Sequence, residues 1–264
     1  MAYLYAEFYS DALKRTVPIY AILPVDKKDD SRVKVAGGCK TLYLLHGLTA
    51  SASDWLTYSR IRQWAEELGI AVIMPSGENS FYVDAVQPNH EYGRFIGEEL
   101  VAVTRDMFHL SARREDTFIG GLSMGGFGAI RNGLRYAQTF GAIVALSSAI
   151  HFFETPEGIA PSNLFHEELC FGDMAQARKS DKNPRVLVER ILAAQAKGEP
   201  LSMPRLYMAC GTEDGLLGAN HSFRDFLLSR GVAVTYEEGP GVHDWNFWDP
   251  YIRRGLDFLL SSKN

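Results

Sequence analysis

Gly121-Leu122-Ser123-Met124-Gly125 stands between a short apolar run, Thr117–Ile119, and a sequence that can begin a helix, Gly126–Arg131. A strand, a tight turn and a helix form the context in which a turn serine is held exposed on a strained backbone. The glycines allow the turn to pack closely against neighbouring main chain. We therefore interpret Ser123 as a candidate nucleophile, with a glycine-rich packing turn as the alternative.

Working outward from this turn, strand-like and helix-like patterns alternate along nearly the whole chain. Residues Ile61, Trp64 and Leu68 show the spacing of one helix face. Near the N-terminus, Leu4–Tyr9 and Val17–Leu23 are separated by a hairpin-length connection. The other strand-like runs are Thr41–Leu45, Ile70–Met74, Thr117–Ile119, Ala142–Leu146, Leu206–Ala209 and Val232–Tyr236. This alternation predicts an α/β fold: a mainly parallel sheet of about eight strands, covered by helices on both faces, with the hairpin as an antiparallel edge.

The chain is 264 residues long, and a sheet of this size would use all of them, so we predict a single domain spanning residues 1–264. The segment at about residues 151–200 interrupts the alternation. It is polar and contains Pro156, Pro161 and Pro184, but it also carries a helical stripe that includes Val186 and Ile191. Connections this long are usually functional, so we predict a small folded cap or lid there.

Composition excludes several classes of function. The net charge is −5, and no dense basic stripe occurs, so we expect no nucleic-acid partner. The spacing of the three cysteines indicates neither a disulfide framework nor a metal site. We recognise no signal peptide and no membrane-spanning run, and so we expect a cytoplasmic protein without a membrane partner. The hairpin edge suits a monomer and a homo-oligomer equally.

A serine nucleophile needs a base, and the base needs an orienting acid. In hydrolases of this architecture the chain order is serine, acid, histidine. Of the seven histidines, His243 is the best candidate base because it follows the last predicted strand, at the edge of the sheet where such folds place their chemistry. Asp214 follows the preceding strand and is the candidate acid, but its neighbour Glu213 fits the spacing equally well.

An oxyanion forming on the substrate would need two main-chain N–H donors. One is expected from Met124, the residue after the nucleophile. The other is expected from the loop after the Thr41–Leu45 run, where we assign the N–H of Leu48.

Several segments, taken together, resemble the tributyrin esterases of the esterase D group, which also holds S-formylglutathione hydrolases and some cinnamoyl and acetyl esterases. They occur in family order and extend over nearly the whole chain. The matching segments are Leu44-Leu45-His46-Gly47-Leu48, Ser53-Asp54-Trp55, Met74-Pro75-Ser76, Ser80-Phe81-Tyr82, Gly120–Ala129, Cys210-Gly211-Thr212-Glu213-Asp214 and Gly241-Val242-His243-Asp244-Trp245.

This resemblance implies an α/β-hydrolase fold, no cofactor, and hydrolysis of small-molecule esters with short acyl groups. No His-Glu-x-x-His or comparable ligand spacing occurs in the sequence, so we expect no metal. Carried over by position, it implies Ser123 as nucleophile, His243 as base and Asp214, not Glu213, as acid, with the amides of Leu48 and Met124 as oxyanion donors. S-formylglutathione hydrolysis and acyl transfer to an alcohol are the alternatives, whereas a binding module without catalysis is disfavoured by the complete set of catalytic residue types.

The substrate pocket is less specified by the sequence. Acetyl to butyryl esters and acetylated or feruloylated carbohydrates would all present the same reacting ester carbonyl. Because pockets are lined mainly by apolar and aromatic groups, and because Trp55 and Tyr82 lie just beyond strand ends, we expect these two side chains to contact substrate.

Overall fold

The computed structural model describes residues 1–25, 37–154 and 167–261, and these form an eight-stranded sheet with helices packed on both faces. The strands are β1 (Ala2–Ser10), β2 (Arg15–Leu23), β3 (Thr41–Leu45), β4 (Ala71–Pro75), β5 (Thr117–Leu122), β6 (Ala142–Leu146), β7 (Arg205–Gly211) and β8 (Val234–Gly239). The helices are α1 (Asp54–Tyr58), α2 (Ile61–Leu68), α3 (Tyr92–Arg94), α4 (Leu100–Met107), α5 (Met124–Arg135), α6 (His151–Glu154), α7 (Glu167–Phe171), α8 (Met174–Ala177), α9 (Pro184–Ala196), α10 (Leu217–Ser229) and α11 (Trp245–Leu260). A π-helical turn at Phe95–Glu99 joins α3 to α4.

The strand order is β1-β2-β4-β3-β5-β6-β7-β8, and the strands from β4 to β8 run parallel. The hairpin β1–β2 pairs antiparallel and adds to β4, also antiparallel. The predicted α/β architecture with an antiparallel edge is therefore confirmed. After β3 the chain moves outward to β4 and then returns to β5 on the other side of β3, which creates a crevice at the carboxyl ends of β3 and β5.

Both faces of the central strands are apolar, as a sheet covered on two sides requires. In β3, Tyr43 and Leu45 point into one core, shared with α4, α5, α9 and α10. Leu42 and Leu44 point into the other core, shared with α1, α2 and α11. All four side chains are fully buried, which fixes the position of the strand ends that carry the polar loops.

The described part of the predicted cap is helical. Its last helix, α9, begins with Pro184 after the Asn183 cap, and Leu187 and Ile191 pack into the sheet core. That helix packs against α5 and α10, which themselves contact the strands. Residues 155–166 of the predicted cap lie outside the described residues, and the role of the segment as a cap stays a prediction.

No helix in the described part of the chain is both long and apolar enough to cross a membrane.

Candidate active site

Four loops at the carboxyl ends of parallel strands carry the candidate residues. Leu48 follows β3, Ser123 follows β5, Asp214 follows β7, and His243 lies between β8 and α11. The loops after β3 and β5 flank the crevice described above, the usual location of a site in an open α/β sheet. An ideal Cβ built on Gly47 would lie only 3.6 Å from the Cβ of Ser123, so these two loops touch.

Ser123 occupies a strained turn. Its backbone has φ 54° and ψ −118°, a conformation that costs a non-glycine residue about 1–3 kcal/mol and occurs mainly at functional sites. The two flanking glycines explain how the turn fits: a Cβ on Gly121 would lie 2.5 Å from the carbonyl of Gly125, and a Cβ on Gly125 would lie 2.4 Å from the carbonyl oxygen of Leu45. Larger residues at these positions would push the turn away from β3.

A continuous pair of hydrogen bonds joins Ser123, His243 and Asp214. The hydroxyl Oγ of Ser123 lies 2.9 Å from Nε2 of His243, and Nδ1 of His243 lies 2.8 Å from Oδ2 of Asp214. An ionised carboxylate only accepts hydrogen bonds, so Nδ1 carries the imidazole proton and Nε2 is left to accept the proton of Ser123. This arrangement can activate a serine for attack on a carbonyl.

Asp214 is held in its ionised form. Burial alone raises the pKa of this carboxyl, but hydrogen bonds from His243, from the Leu216 N–H and from Ser147 outweigh burial and lower the pKa below its usual value. The Leu216 amide donates to Oδ1 at 2.8 Å. A buried anion is therefore available to orient His243 and to stabilise its protonated form.

The neighbouring carboxylate of Glu213 points elsewhere. It accepts the N–H of Gly241 at 2.6 Å and the hydroxyl of Thr212 at 2.8 Å, and it is exposed. These bonds lower the pKa of Glu213, with the Gly241 amide as the main cause. Of the two acids that fit the spacing, Asp214 is the one that contacts His243. Glu213 instead stabilises the loop that carries His243, through its hydrogen bond to Gly241.

The amides of Leu48 and Met124 stay the predicted oxyanion donors: Met124 directly follows Ser123, and Leu48 follows Gly47, whose ideal Cβ would lie 3.6 Å from the Cβ of Ser123. Met124 is the first residue of α5, so its N–H precedes the first hydrogen bond of the helix and lies at the positive end of the helix dipole. Among the hydrogen bonds of the described residues, neither the Leu48 nor the Met124 amide donates to a protein acceptor. Both remain available to a ligand.

Three buried side chains fix the main chain that leads to Leu48. The consecutive carbonyls of Leu45, His46 and Gly47 accept hydrogen bonds from Trp55 Nε1 at 3.0 Å, from the Tyr82 hydroxyl at 3.0 Å and from His46 Nδ1 at 2.7 Å. The bond to Gly47 sets the plane of the peptide that contains the Leu48 N–H. The orientation of that amide is therefore determined by side chains that do not themselves face the site.

This finding corrects the expectation for Trp55 and Tyr82. Both side chains are 0% exposed, so neither offers a surface for substrate to touch in this structure. Their rings pack in the core and their polar ends satisfy main-chain carbonyls, as buried tryptophan and tyrosine usually must. They hold the loop after β3 in place instead of lining a pocket.

His46 has a structural role that was not predicted from the sequence. Its only signal was its position directly after a buried strand and before Gly47. The ring is buried, its Nε2 accepts the N–H of Gly77 at 2.8 Å, and burial lowers its pKa. His46 is thus a neutral side chain whose hydrogen bonds connect the loop after β3 to the loop after β4.

Acidification is expected to destabilise the fold through His46. The unfolded chain binds a proton at His46 below about pH 6.5, whereas the folded chain resists protonation down to its lower pKa. The stabilisation is complete above the unfolded pKa and is lost as the pH falls toward the folded pKa. The free energy of unfolding, measured by urea denaturation between about pH 7.5 and pH 5, should therefore decline less steeply in His46→Gln.

The exposed His109 supplies the control for this series, since His109→Gln removes a histidine without touching a buried ring. Burial lowers the pKa of His151 to about 4. The contribution of His151 to the pH dependence of stability is present in wild type, in His46→Gln and in His109→Gln. If the free energy of unfolding of His46→Gln declined with pH as steeply as that of wild type, His46 would not be the buried neutral histidine described above.

This chain is similar to known proteins in both sequence and fold. Residues 10–259 match the family model described as "Putative esterase", and the chain belongs to this esterase family. It is 42% identical to an acetyl esterase of Caldicellulosiruptor saccharolyticus, over 98% of both chains. Among solved structures, it is similar to a substrate-bound fluorophosphonate-binding serine hydrolase of Staphylococcus aureus, at 30% identity, TM-score 0.86 and 99% coverage of both chains. An S-formylglutathione hydrolase of the same organism matches at 30% identity and TM-score 0.83, over 98% of this chain and 99% of that one.

These relatives identify the protein as a carboxylic ester hydrolase of the serine esterase type, with the α/β-hydrolase fold. Among the described residues, no three histidine, cysteine, aspartate or glutamate side chains group closely enough to hold a metal ion.

Proposed function

We propose that Ser123, His243 and Asp214 form the catalytic triad of a short-chain carboxylesterase. The observation that carries this proposal is the unbroken pair of bonds, 2.9 Å from Ser123 Oγ to His243 Nε2 and 2.8 Å from His243 Nδ1 to Asp214 Oδ2. The strained backbone of Ser123 and the two unengaged amides beside it support the same assignment.

In the proposed reaction, His243 Nε2 takes the proton of Ser123 while Oγ attacks the ester carbonyl. The negative charge that develops on the carbonyl oxygen is stabilised by the N–H groups of Leu48 and Met124. Collapse of this intermediate expels the alcohol, which receives the proton from His243, and leaves an acyl group on Ser123. His243 then activates water, which releases the carboxylic acid and restores the serine.

Two observations support short acyl groups. The acetyl esterase relative is similar over nearly its whole length. In addition, five buried phenylalanine side chains pack on one another at the first turns of α5: Phe81, Phe127, Phe152, Phe153 and Phe171. Phe127 follows Ser123 by one helical turn, and its N–H donates to the Ser123 carbonyl at 3.0 Å. Interiors packed in this way resist additional volume, so a long acyl chain would have to displace aromatic rings on this side of the serine.

Hydrolysis of S-formylglutathione is the second candidate, because a structure of that name matches this chain over nearly its full length. The two reactions share the same acyl-enzyme chemistry and differ in the leaving group, which is a thiolate in one case and an alkoxide in the other.

Steady-state kcat/KM on p-nitrophenyl esters from acetate to octanoate, on methyl ferulate and on S-formylglutathione tests the proposal. We expect a maximum between acetate and butyrate, with Ser123→Ala as the blank. A maximum at S-formylglutathione would favour the second candidate. Appearance of a new ester when an alcohol is added would indicate acyl transfer, and octanoate as the best substrate would overturn the short-chain assignment.

The natural ester is proposed to be a small molecule, with acetylated and feruloylated carbohydrates as the first compounds to assay. The proposed location is the cytoplasm. The absence of a nucleic-acid partner and association into a homo-oligomer stay predictions.

A further inference from the structure

The loop after β6 lies between the loops that carry Ser123 and Asp214, because β6 stands between β5 and β7 in the sheet. Two main-chain bonds join it to the serine. The Ser123 N–H donates to the Leu146 carbonyl at 2.9 Å, and the Ala149 N–H donates to the Ser123 carbonyl at 3.0 Å. The position of the nucleophile turn therefore depends on the position of the loop after β6.

The side chain of Asn220, on α10, joins this same loop to the loop of the acid. Its Oδ1 accepts the Ser148 N–H at 3.2 Å, and its Nδ2 donates to the Ser148 carbonyl at 3.0 Å. The same Nδ2 donates to the Leu216 carbonyl at 2.9 Å, and the Leu216 N–H donates to Oδ1 of Asp214 at 2.8 Å. Asn220 thus bonds one residue on the nucleophile side and one on the acid side of the proposed triad.

The orientation of the Asn220 amide is determined by its partners. A main-chain N–H only donates and a carbonyl only accepts, so the amide oxygen faces the Ser148 N–H and the amide nitrogen faces the two carbonyls. Asn220 and Ser148 are both 0% exposed. Because a buried polar group without a partner is costly, these bonds restrain the main chain more strongly than exposed bonds would.

The loop after β6 is also confined on its other side. An ideal Cβ built on Gly126, in the first turn of α5, would lie 3.2 Å from the Cα of Ser148 and 2.9 Å from the Leu146 carbonyl oxygen. The loop therefore packs between α5 and Asn220. Without the Asn220 amide, the Ser148 peptide could rotate, and the Ala149 N–H that bonds to Ser123 would move with it.

We propose that Asn220 is a positioning residue that fixes the nucleophile turn and the acid loop relative to each other, through the main chain of Ser148 and Leu216. The proposal rests on the triad proposed above. Because Asn220 is fully buried, it does not touch substrate. Its effect is therefore expected on the chemical step and not on substrate binding.

Asn220→Leu and Asn220→Ala test the proposal. Leucine keeps the branched shape without the hydrogen bonds, and alanine removes the amide without adding apolar bulk if the leucine variant folds poorly. We expect each variant to lower kcat on p-nitrophenyl acetate by about tenfold and to change KM by less than about twofold, since small displacements between reacting groups are costly. Rates are expressed per chain that a fluorophosphonate labels at Ser123, so that unfolded protein does not contribute.

Asn183→Ala is the matched control. Asn183 is also buried and also bonds main chain in both directions: its Nδ2 donates to the Arg178 carbonyl at 2.8 Å, and its Oδ1 accepts the Arg185 N–H at 3.0 Å. These bonds cap α9 and not the loops of the triad. The control should lower the melting temperature, as the loss of a helix cap does, and keep kcat within about twofold of wild type.

A double-variant cycle with Asp214→Asn separates positioning from a purely structural role. If Asn220 acts by placing the acid relative to the serine, its removal matters little once the acid no longer orients His243. Asn220→Ala should therefore lower kcat by less than about threefold in the Asp214→Asn protein, against about tenfold in wild type. A general loss of stability would lower both proteins by the same factor.

Lower kcat in the Asn220 variants with KM retained, together with the smaller loss in Asp214→Asn, supports the proposal. Unchanged kcat, an equal loss of kcat in Asn183→Ala, or full multiplication of the losses in the double variant would overturn it. If wild type and Ser123→Ala hydrolyse the ester at the same rate, the triad itself fails, and that outcome is seen before any Asn220 variant is measured.

Discussion

Replacing Ser123 by alanine is expected to lower kcat for p-nitrophenyl acetate by about a millionfold, close to removal of the whole triad. The reason is that, among the described residues, the Ser123 hydroxyl is the group that lies within hydrogen-bond distance of His243 Nε2, at 2.9 Å. Without an acyl-enzyme, the remaining rate comes only from the oxyanion amides and from substrate binding. Initial rates over a range of enzyme concentrations, after removal of contaminating host esterases, give the measurement.

Ser148→Ala is the matched control for this loss. Ser148 is a buried serine close to α5, where a Cβ built on Gly126 would lie 2.9 Å from its oxygen, yet the hydroxyl is not bonded to His243. Both variants should fold, as judged by thermal unfolding, and only Ser123→Ala should be inactive. A Ser123→Ala variant with near wild-type turnover would eliminate the proposed mechanism.

The second large effect is expected for Asp214→Asn, about a ten-thousandfold loss of kcat. An amide at this position can donate to Nδ1 of His243, which favours the tautomer with the proton on Nε2. That tautomer has no free nitrogen to accept the Ser123 proton, although the geometry of the site is preserved.

The adjacent Glu213→Gln tests whether the effect is specific to one carboxylate. Glu213 bonds to Gly241 and Thr212, so its replacement should change kcat by less than about tenfold, through the position of the histidine loop alone. Equal losses in the two variants, both measured with p-nitrophenyl acetate at neutral pH, would contradict the assignment of Asp214 as the orienting acid.

The sheet and the candidate triad were predictable for a physical reason. Strands buried on both faces must be continuously apolar, and their turns must carry the polar residues, so runs such as Thr41–Leu45 and Ala142–Leu146 mark the strands directly. Chain order then places Ser123, Asp214 and His243 at one edge of the sheet. The N-terminal hairpin was also expected, and β1 and β2 extend it by one to two residues at its ends.

The roles of Trp55 and Tyr82 were predicted incorrectly because a residue's position after a strand does not fix the direction of its side chain. Both residues combine an apolar ring with a polar end, which suits a pocket wall and a core equally well. The bonds to Leu45 and His46 decide in favour of the core. Tyr82 also takes a positive φ of 54°, which no local pattern in the sequence indicates.

The hydrogen bond from the Trp248 indole to the Ser147 hydroxyl could not be predicted from the sequence. The two residues are separated by 101 positions, and neither belongs to a recognisable motif. Their connection depends on how β6 and α11 pack and on the positive φ of Ser147, both of which are tertiary properties. The direction of the Glu213 side chain is also a tertiary property. Its spacing suits the orienting acid, but its carboxylate accepts a hydrogen bond from Gly241 in another loop.

The most direct test of the proposed mechanism is to label the protein with a fluorophosphonate and locate the adduct by peptide mass spectrometry. The serine oxygen would displace fluoride and retain the phosphonyl group. We predict one phosphonyl group per chain on Ser123, with activity lost in proportion to labelling and no label in Ser123→Ala. Label on another residue that accounts for the lost activity, or full activity in a chain phosphonylated at Ser123, would contradict the account.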